Sequence, residues 1–287
     1  MFACVRNYCY FCSMKPSVMG ILNCTPDSFF KGSRKKTEYE IAVRADEIIS
    51  EGGTIIDVGA FSTRPGADVV STEEEMRRLR GALSTIRRNH ENATLSVDTY
   101  RPEVARMAVE EFGVQIINDV SEGGLGTVAD ADVCTIGMDE ALPAMFAEVA
   151  RLKVGYVLMS VQADMDSMIE NFRKEVAQLK GLGVENVILD PGFGFGKTPV
   201  EGNYKMLHEL GRLKEVFPDL PILAGVSRKR MIWQLLGCTA DDERAMQGTM
   251  LVNMMALERG ASILRVHDVK EAVDTIKIYK SCSSLSA

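Results

Sequence analysis

Short apolar runs that stop at a polar residue recur along the chain. Residues 18–22 stop at Asn23, 54–56 at Asp57, 94–97 at Asp98 and 115–117 at Asn118. The pattern continues with 156–159 before Ser160, 187–189 before Asp190, 221–226 before Ser227 and 263–266 before His267. Apolar runs this short, bounded by polar and turn-forming residues, read as buried strands.

The intervals carry helical spacing and helix punctuation. Thr37 with Glu40 predicts a capping box for a helix over 41–50 that Gly52 and Gly53 end. Ser71 with Glu74 predicts the cap of a helix running through Met76, Leu79 and Leu83. Pro102 suits the first turn of a helix that Gly113 closes, and 144–152 reads as another. A small apolar segment lies at 133–136, in the longest interval.

Strand and helix alternate through the chain, which is the rhythm of a parallel sheet with right-handed crossovers. Eight strands in 287 residues predict an α/β fold, a (β/α)8 TIM barrel in a single domain, with an open doubly wound sheet as the alternative. The expected limits are an irregular N-terminal extension over 1–16, the barrel over 17–280 and a short tail over 281–287.

In such a barrel the strand ends gather on one face, where active sites are built. Asn23, Asp57, Asp98, Asn118, Ser160, Asp190, Ser227 and His267 would then form a polar ring. Any one of them could be a helix cap; together they imply a pocket. Asp and Asn side chains there can read a flat heterocycle with amide and amino groups, because a carboxylate accepts two parallel N–H bonds. Arg64, Arg228, Lys229, Arg230 and Arg265 add cations to the later loops and strands, as an anion such as phosphate would require.

Composition narrows the class. A hydrophobic fraction of 46%, a quarter of residues charged and a net charge of −7 describe a globular chain without a general nucleic-acid or membrane surface. No apolar run approaches the roughly 18 residues of a membrane span. The 7 scattered cysteines fit free thiols in a reducing cytoplasm, although Cys9 and Cys12 have the spacing of half a metal or redox site. Gly196-Lys197-Thr198 is not a P-loop, because Pro191 stands where its first glycine is needed. The run Gly192 to Gly196 lacks the dinucleotide fingerprint too, and reads as a flexible, aromatic-bearing edge of the pocket.

The stretches MGILNCTPDSF, DVGAFSTRPGA, SVDTYRPEVA, IINDV, LDPGFGFGK, GVSRK and RVHDV resemble, in order, the motifs of dihydropteroate synthase, the folate-pathway enzyme that sulfonamides block. The resemblance runs from Met19 to Val269 and implies the same barrel. It implies a transferase that condenses 6-hydroxymethyl-7,8-dihydropterin diphosphate with p-aminobenzoate, releasing pyrophosphate. Catalytic roles are implied for Asp98, Asp190, Lys229 and Arg265. Asp98, Asn118, Met159, Asp190 and Lys229 would hold the pterin; Asn23, Arg265 and His267 the diphosphate, with Asn23 also contacting Mg²⁺. Phe29, Thr63, Arg64, Pro65, Phe195 and Ser227 would border p-aminobenzoate. A homodimer is implied as well.

Four positions depart from the family pattern. Lys31 stands where an aspartate is usual, Phe61 where a glutamate is, Ser160 where a histidine is and Arg230 where a serine is. Two other readings stay open on sequence alone: a pterin-barrel methyltransferase, and a homologue that binds pterin without turnover.

Overall fold

The computed structural model describes residues 15–24, 34–61, 70–124 and 143–283, with 34–37 as backbone only. Phe29, Lys31, Thr63, Arg64, Pro65, the 133–136 segment, Cys9 and Cys12 lie outside the described residues.

Strand and helix alternate from the start: β1 (Ser17–Asn23), α1 (Arg34–Ser50), β2 (Ile55–Gly59), α2 (Thr72–Asn89), β3 (Thr94–Asp98) and α3 (Pro102–Phe112). β4 (Ile116–Asp119), α4 (Ala144–Leu152), β5 (Gly155–Met159), α5 (Met165–Gly181) and β6 (Val187–Asp190) follow. The last part runs α6 (Glu201–Glu209), α7 (Gly211–Val216), β7 (Leu223–Ala224), α8 (Arg230–Leu236), α9 (Glu243–Glu258), β8 (Ile263–Val266) and α10 (Val269–Ser283).

All strand pairings are parallel, in the order β6-β5-β4-β3-β2-β1-β8-β7. A parallel bridge between Leu189 and Ile222, with Leu189 N–H donating to Pro221 O at 2.9 Å, joins the two ends of that order. The sheet thus closes into the eight-stranded barrel that the sequence predicts.

Local rules account for several boundaries. Ser71 Oγ accepts the Glu74 N–H at 3.3 Å at the start of α2, and Glu73, Glu74 and Glu75 face the positive end of its dipole. Pro102 opens α3, and Gly113 closes it at φ 61°, a left-handed conformation suited to glycine.

Other boundaries differ from expectation. α1 begins at Arg34, so Thr37 lies inside the helix and not at its cap; Arg34, Lys35 and Lys36 are good helix formers and carry the turn back. β2 runs on to Gly59, which puts Asp57 within the strand. β7 shrinks from the expected 221–226 to two residues, because Val226 O already accepts the Lys229 N–H at 3.2 Å in the turn before α8.

Side chains alternate in and out along each strand. Met19, Ile55, Ile116, Val157, Ile188, Leu223 and Ile263 form a small apolar cluster that plugs the barrel interior. The alternate residues, such as Leu22, Val58, Val97 and Leu189, join a much larger core beneath the helices. The site stands on that interior plug.

Candidate active site

Two positions beyond the plug, the inward residues become polar. From Ile55 the phase leads to Asp57, from Ile116 to Asn118, from Ile188 to Asp190 and from Ile263 to Arg265. Asp98 enters from β3, where it pairs in register with Gly59 and Asn118.

Arg265 ties this layer together. Its Nε donates to Asp57 Oδ2 at 2.6 Å and its Nη2 to Asp98 Oδ2 at 2.6 Å. Asn118 Nδ2 also donates to Asp57 Oδ2, at 3.1 Å. Burial opposes the charge on Arg265, but Asp57 and Asp98 outweigh it and hold its pKa above the usual range. Burial raises Asp98 to about 7; Arg265 opposes that rise and Asp57 adds to it.

Two acceptors in this layer, Asp57 Oδ1 and Asn118 Oδ1, are buried without a hydrogen-bond partner among the described residues. Buried polar atoms normally find partners, so two orphaned acceptors side by side in this layer are open to donors of a ligand. On sequence Asp57 belongs to the polar ring but takes no role from the family resemblance. The structure makes it the acceptor shared by Arg265 and Asn118. The signal was in the sequence: Asp57 keeps the same phase as Ile55.

The β6 side supplies a second charge pair. Asp190 Oδ1 accepts the Gly192 N–H at 2.8 Å. Burial raises its pKa and Lys229 opposes the rise. Burial lowers Lys229 to about 8, with Asp190 opposing. A Cβ built on Gly225 would lie 3.9 Å from Lys229 Nζ and 4.0 Å from Asp190 Oδ2, so glycine leaves the space between them open.

Lys229 is held from above by the loop after β6. Its Nζ donates to Phe193 O and lies 5.0 Å from the centre of the Phe195 ring, within cation–π range. That loop is not the flexible edge the sequence suggested. Lys197 Nζ donates to Gly192 O at 3.1 Å and Phe195 O at 3.0 Å, and Gly194 N–H donates to Asn203 Oδ1 at 2.6 Å. Lys197 is therefore an internal brace whose pKa burial lowers to about 8.

The rim carries Asn23, Ser227 and His267, one alternation further out. Asn23 Oδ1 would lie 3.4 Å from a Cβ on Gly59, so the absence of a side chain there keeps Asn23 beside Asp98. Ser227 Oγ accepts the His267 backbone N–H at 3.1 Å. Burial, then the neighbouring Arg265, lowers the His267 pKa to about 4.

Not every expected residue joins the pocket. Ser160 is out of phase with Met159: it is fully buried, and its Oγ donates to Glu122 Oε1 at 3.0 Å. Arg228 forms a two-pronged pair with Asp268, both contacts at 2.8 Å, and donates to Ala240 O at 2.9 Å; it clips loops together and leaves no free head for an anion. Arg230 is exposed at the start of α8, and Phe61 packs edge-on against Tyr100 at 5.3 Å.

Asn23 is the implied Mg²⁺ contact. Among the described residues no group of three or more His, Cys, Asp or Glu side chains could hold a metal. A lone amide oxygen fits Mg²⁺ only in the mode where water and substrate phosphates supply the remaining ligands. The donor set suits that mode.

Comparison with known proteins agrees with this geometry. Residues 19–267 match the family described as pterin binding enzyme. A dihydropteroate synthase of Escherichia coli is 37% identical over 94% of this chain and 92% of its own length. One of Streptococcus pyogenes is 34% identical, covering 91% of this chain and 94% of its own. A solved dihydropteroate synthase of Xanthomonas albilineans, determined with 4-aminobenzoic acid, superposes with a TM-score of 0.78 at 33% identity, over 94% of this chain and 93% of that one.

Proposed function

From the membership of this chain in the dihydropteroate synthase family, we propose how its own residues carry the reaction. The enzyme is a transferase of folate synthesis that joins 6-hydroxymethyl-7,8-dihydropterin diphosphate to p-aminobenzoate with loss of pyrophosphate. The observation that carries the site assignment is Arg265 bridging Asp57 and Asp98 beside two orphaned acceptors, Asp57 Oδ1 and Asn118 Oδ1.

Asp98, Asn118 and Asp190 accept from the amide and amino donors of the pterin ring, Met159 packs beside it, and Lys229 donates to its acceptors. Arg265, His267 and Asn23 receive the diphosphate. Asn23 would hold Mg²⁺ together with the substrate, and the ion would supply further charge neutralisation for the leaving group.

As the C–O bond breaks, positive charge grows on the pterin and negative charge on the diphosphate. Asp98 and Asp190 would stabilise the pterin cation, and His267 with Arg265, which also donates to Asp98, would stabilise the departing anion. The amine of p-aminobenzoate is uncharged at neutral pH and needs no strong base. Phe195 and Ser227 border its site, with Phe29, Thr63, Arg64 and Pro65 contributed by the first two loops.

The homodimer implied by the family belongs to the same proposal. Leu235 on α8 and Leu251 and Met255 on α9 are 58%, 66% and 43% exposed on two helices that pack together, and we assign the interface to that face. Light scattering checks the dimer, and Leu251→Asp should dissociate it. A cytoplasmic setting is likewise proposed, from the free thiols Cys24, Cys238 and Cys282. Among the described residues no helix is long and apolar enough to cross a membrane.

The test is pyrophosphate release from the pterin diphosphate with and without p-aminobenzoate, while dihydropteroate is followed. Release coupled to dihydropteroate supports the reading. Pterin binding without release in either condition would mean a binding protein, or one that needs a different amine, and would direct attention to Lys31, Ser160 and Arg230.

A further inference from the structure

The ladder between β1 and β8 runs from Ser17↔Ile263 to Gly20↔Val266 and stops there. The next residues on the two strands are Ile21 and His267. Their carbonyls accept from one side chain, Arg44 of α1: Nε donates to Ile21 O at 3.3 Å and Nη2 to His267 O at 2.6 Å. The third nitrogen, Nη1, pairs with Glu47 at 3.2 Å, one turn along the same helix. A planar guanidinium thus spans the place where the backbone ladder gives out.

That place lies between Asn23 and His267, the two rim residues assigned to the diphosphate. His267 is held on both sides of its backbone, its N–H by Ser227 Oγ at 3.1 Å and its carbonyl by Arg44. Asn23 is two residues beyond the carbonyl of Ile21 that Arg44 holds. The Arg44 charge also bears on the imidazole: with Arg265 and Arg228 it disfavours a proton on His267, and Asp268 opposes them.

We propose that Arg44 is a positioning residue for the diphosphate: its two carbonyl bonds set the separation of the β1 and β8 ends at which Asn23 and His267 grip one anion. The inference rests on the proposed assignment of Asn23 and His267 to that anion.

The test uses two probes, inorganic pyrophosphate and the pterin alcohol that lacks a diphosphate, titrated calorimetrically into the full-length protein and its variants. Arg44→Ala should weaken pyrophosphate about tenfold, the size of one lost charge-assisted hydrogen bond. Its affinity for the pterin alcohol should stay within about twofold. Arg44→Lys keeps the charge but cannot bridge two carbonyls, and should remain close to the alanine variant. Full recovery in Arg44→Lys overturns the positioning role, because charge alone would then suffice. Equal losses for both probes, as a general weakening of the fold would give, also overturn it. His267→Ala separates the two layers of the argument. Loss of pyrophosphate there with an unchanged Arg44→Ala sinks the role of Arg44 alone, whereas unchanged binding in His267→Ala removes the anion site and the proposal with it.

Discussion

Arg265 on β8 and Asp57 on β2 meet at 2.6 Å, although 208 residues separate them. With Asp98 on the other fork of the guanidinium, they make a charged floor in which loss of Arg265 alone would leave two buried carboxylates without their counter-charge. Arg265→Lys cannot fork between two carboxylates and should lower kcat/KM by at least roughly tenfold. Asp57→Asn should lower it by about 10- to 100-fold while conserving side-chain volume. Steady-state kinetics with the pterin diphosphate checks both, and an Asp57→Asn enzyme within twofold of wild type would make Asp57 a bystander.

The glycines of the β6 loop should respond unequally. A Cβ on Gly192 or Gly196 would lie 2.0 Å from Ser160 O or 1.9 Å from Val161 O, at φ 65° and 63°. Gly192→Ala and Gly196→Ala should therefore cost more than the ~1 kcal/mol typical of a glycine required for its backbone angle. On Gly194 the nearest atom would be Lys229 Cδ at 3.3 Å, the middle of a flexible side chain, so Gly194→Ala should be milder. Urea melts rank the three; equal losses would refute the backbone argument.

Glu175 on α5 gives a pH test away from the pocket. Burial raises its pKa from 4.5 to about 8, with Glu122 and Asp119 pushing the same way. Between those values the folded chain keeps a proton that the unfolded chain has released. Its contribution to stability is thus complete below about 4.5 and is lost as pH rises through about 8. Glu175→Gln, which mimics the protonated form, should melt above wild type at pH 9 and close to it at pH 5. A constant gap would show that Glu175 does not titrate as argued.

His267 has the opposite sign. Its pKa falls from 6.5 to about 4, through burial first and then Arg265, so the unfolded chain binds the proton more readily. The stability contributed by the neutral ring is present above 6.5 and is lost as pH falls toward 4. His267→Gln should flatten the melting temperature across that interval. Parallel curves for the two proteins would exclude a buried neutral ring.

The alternation of the strands made most of the floor legible. Asp98, Asn118 and Asp190 each follow a short apolar run at a position that faces inward. Asp57 was harder to weigh, because Ile55 and Ile56 end at an acid that lies inside a strand continuing to Gly59. Ser160 misled for the complementary reason: it follows a strand but sits out of phase, and its hydroxyl turns to Glu122. Hydrophobicity over 221–226 could not reveal that the strand proper is only Leu223 and Ala224, with Ile222 joined to Leu189 by a single bridge. Arg44 left no signal at all. Its partners include backbone carbonyls, Ile21 O and His267 O, 23 and 223 residues away, and carbonyls look alike in every sequence.

The interior plug and the polar floor share strands with the outer core but never share a position. Ile21, Asp57, Met159 and Arg265 face the cleft, whereas Leu22, Val58, Leu158 and Val266, each an immediate neighbour along the strand, hold the helices on. Substrate range and fold cohesion are therefore written in two interleaved registers of one text. A lineage under drug pressure could revise the inner letters one by one while every outer letter stayed fixed, which lets such a barrel change its diet without first learning to fold again.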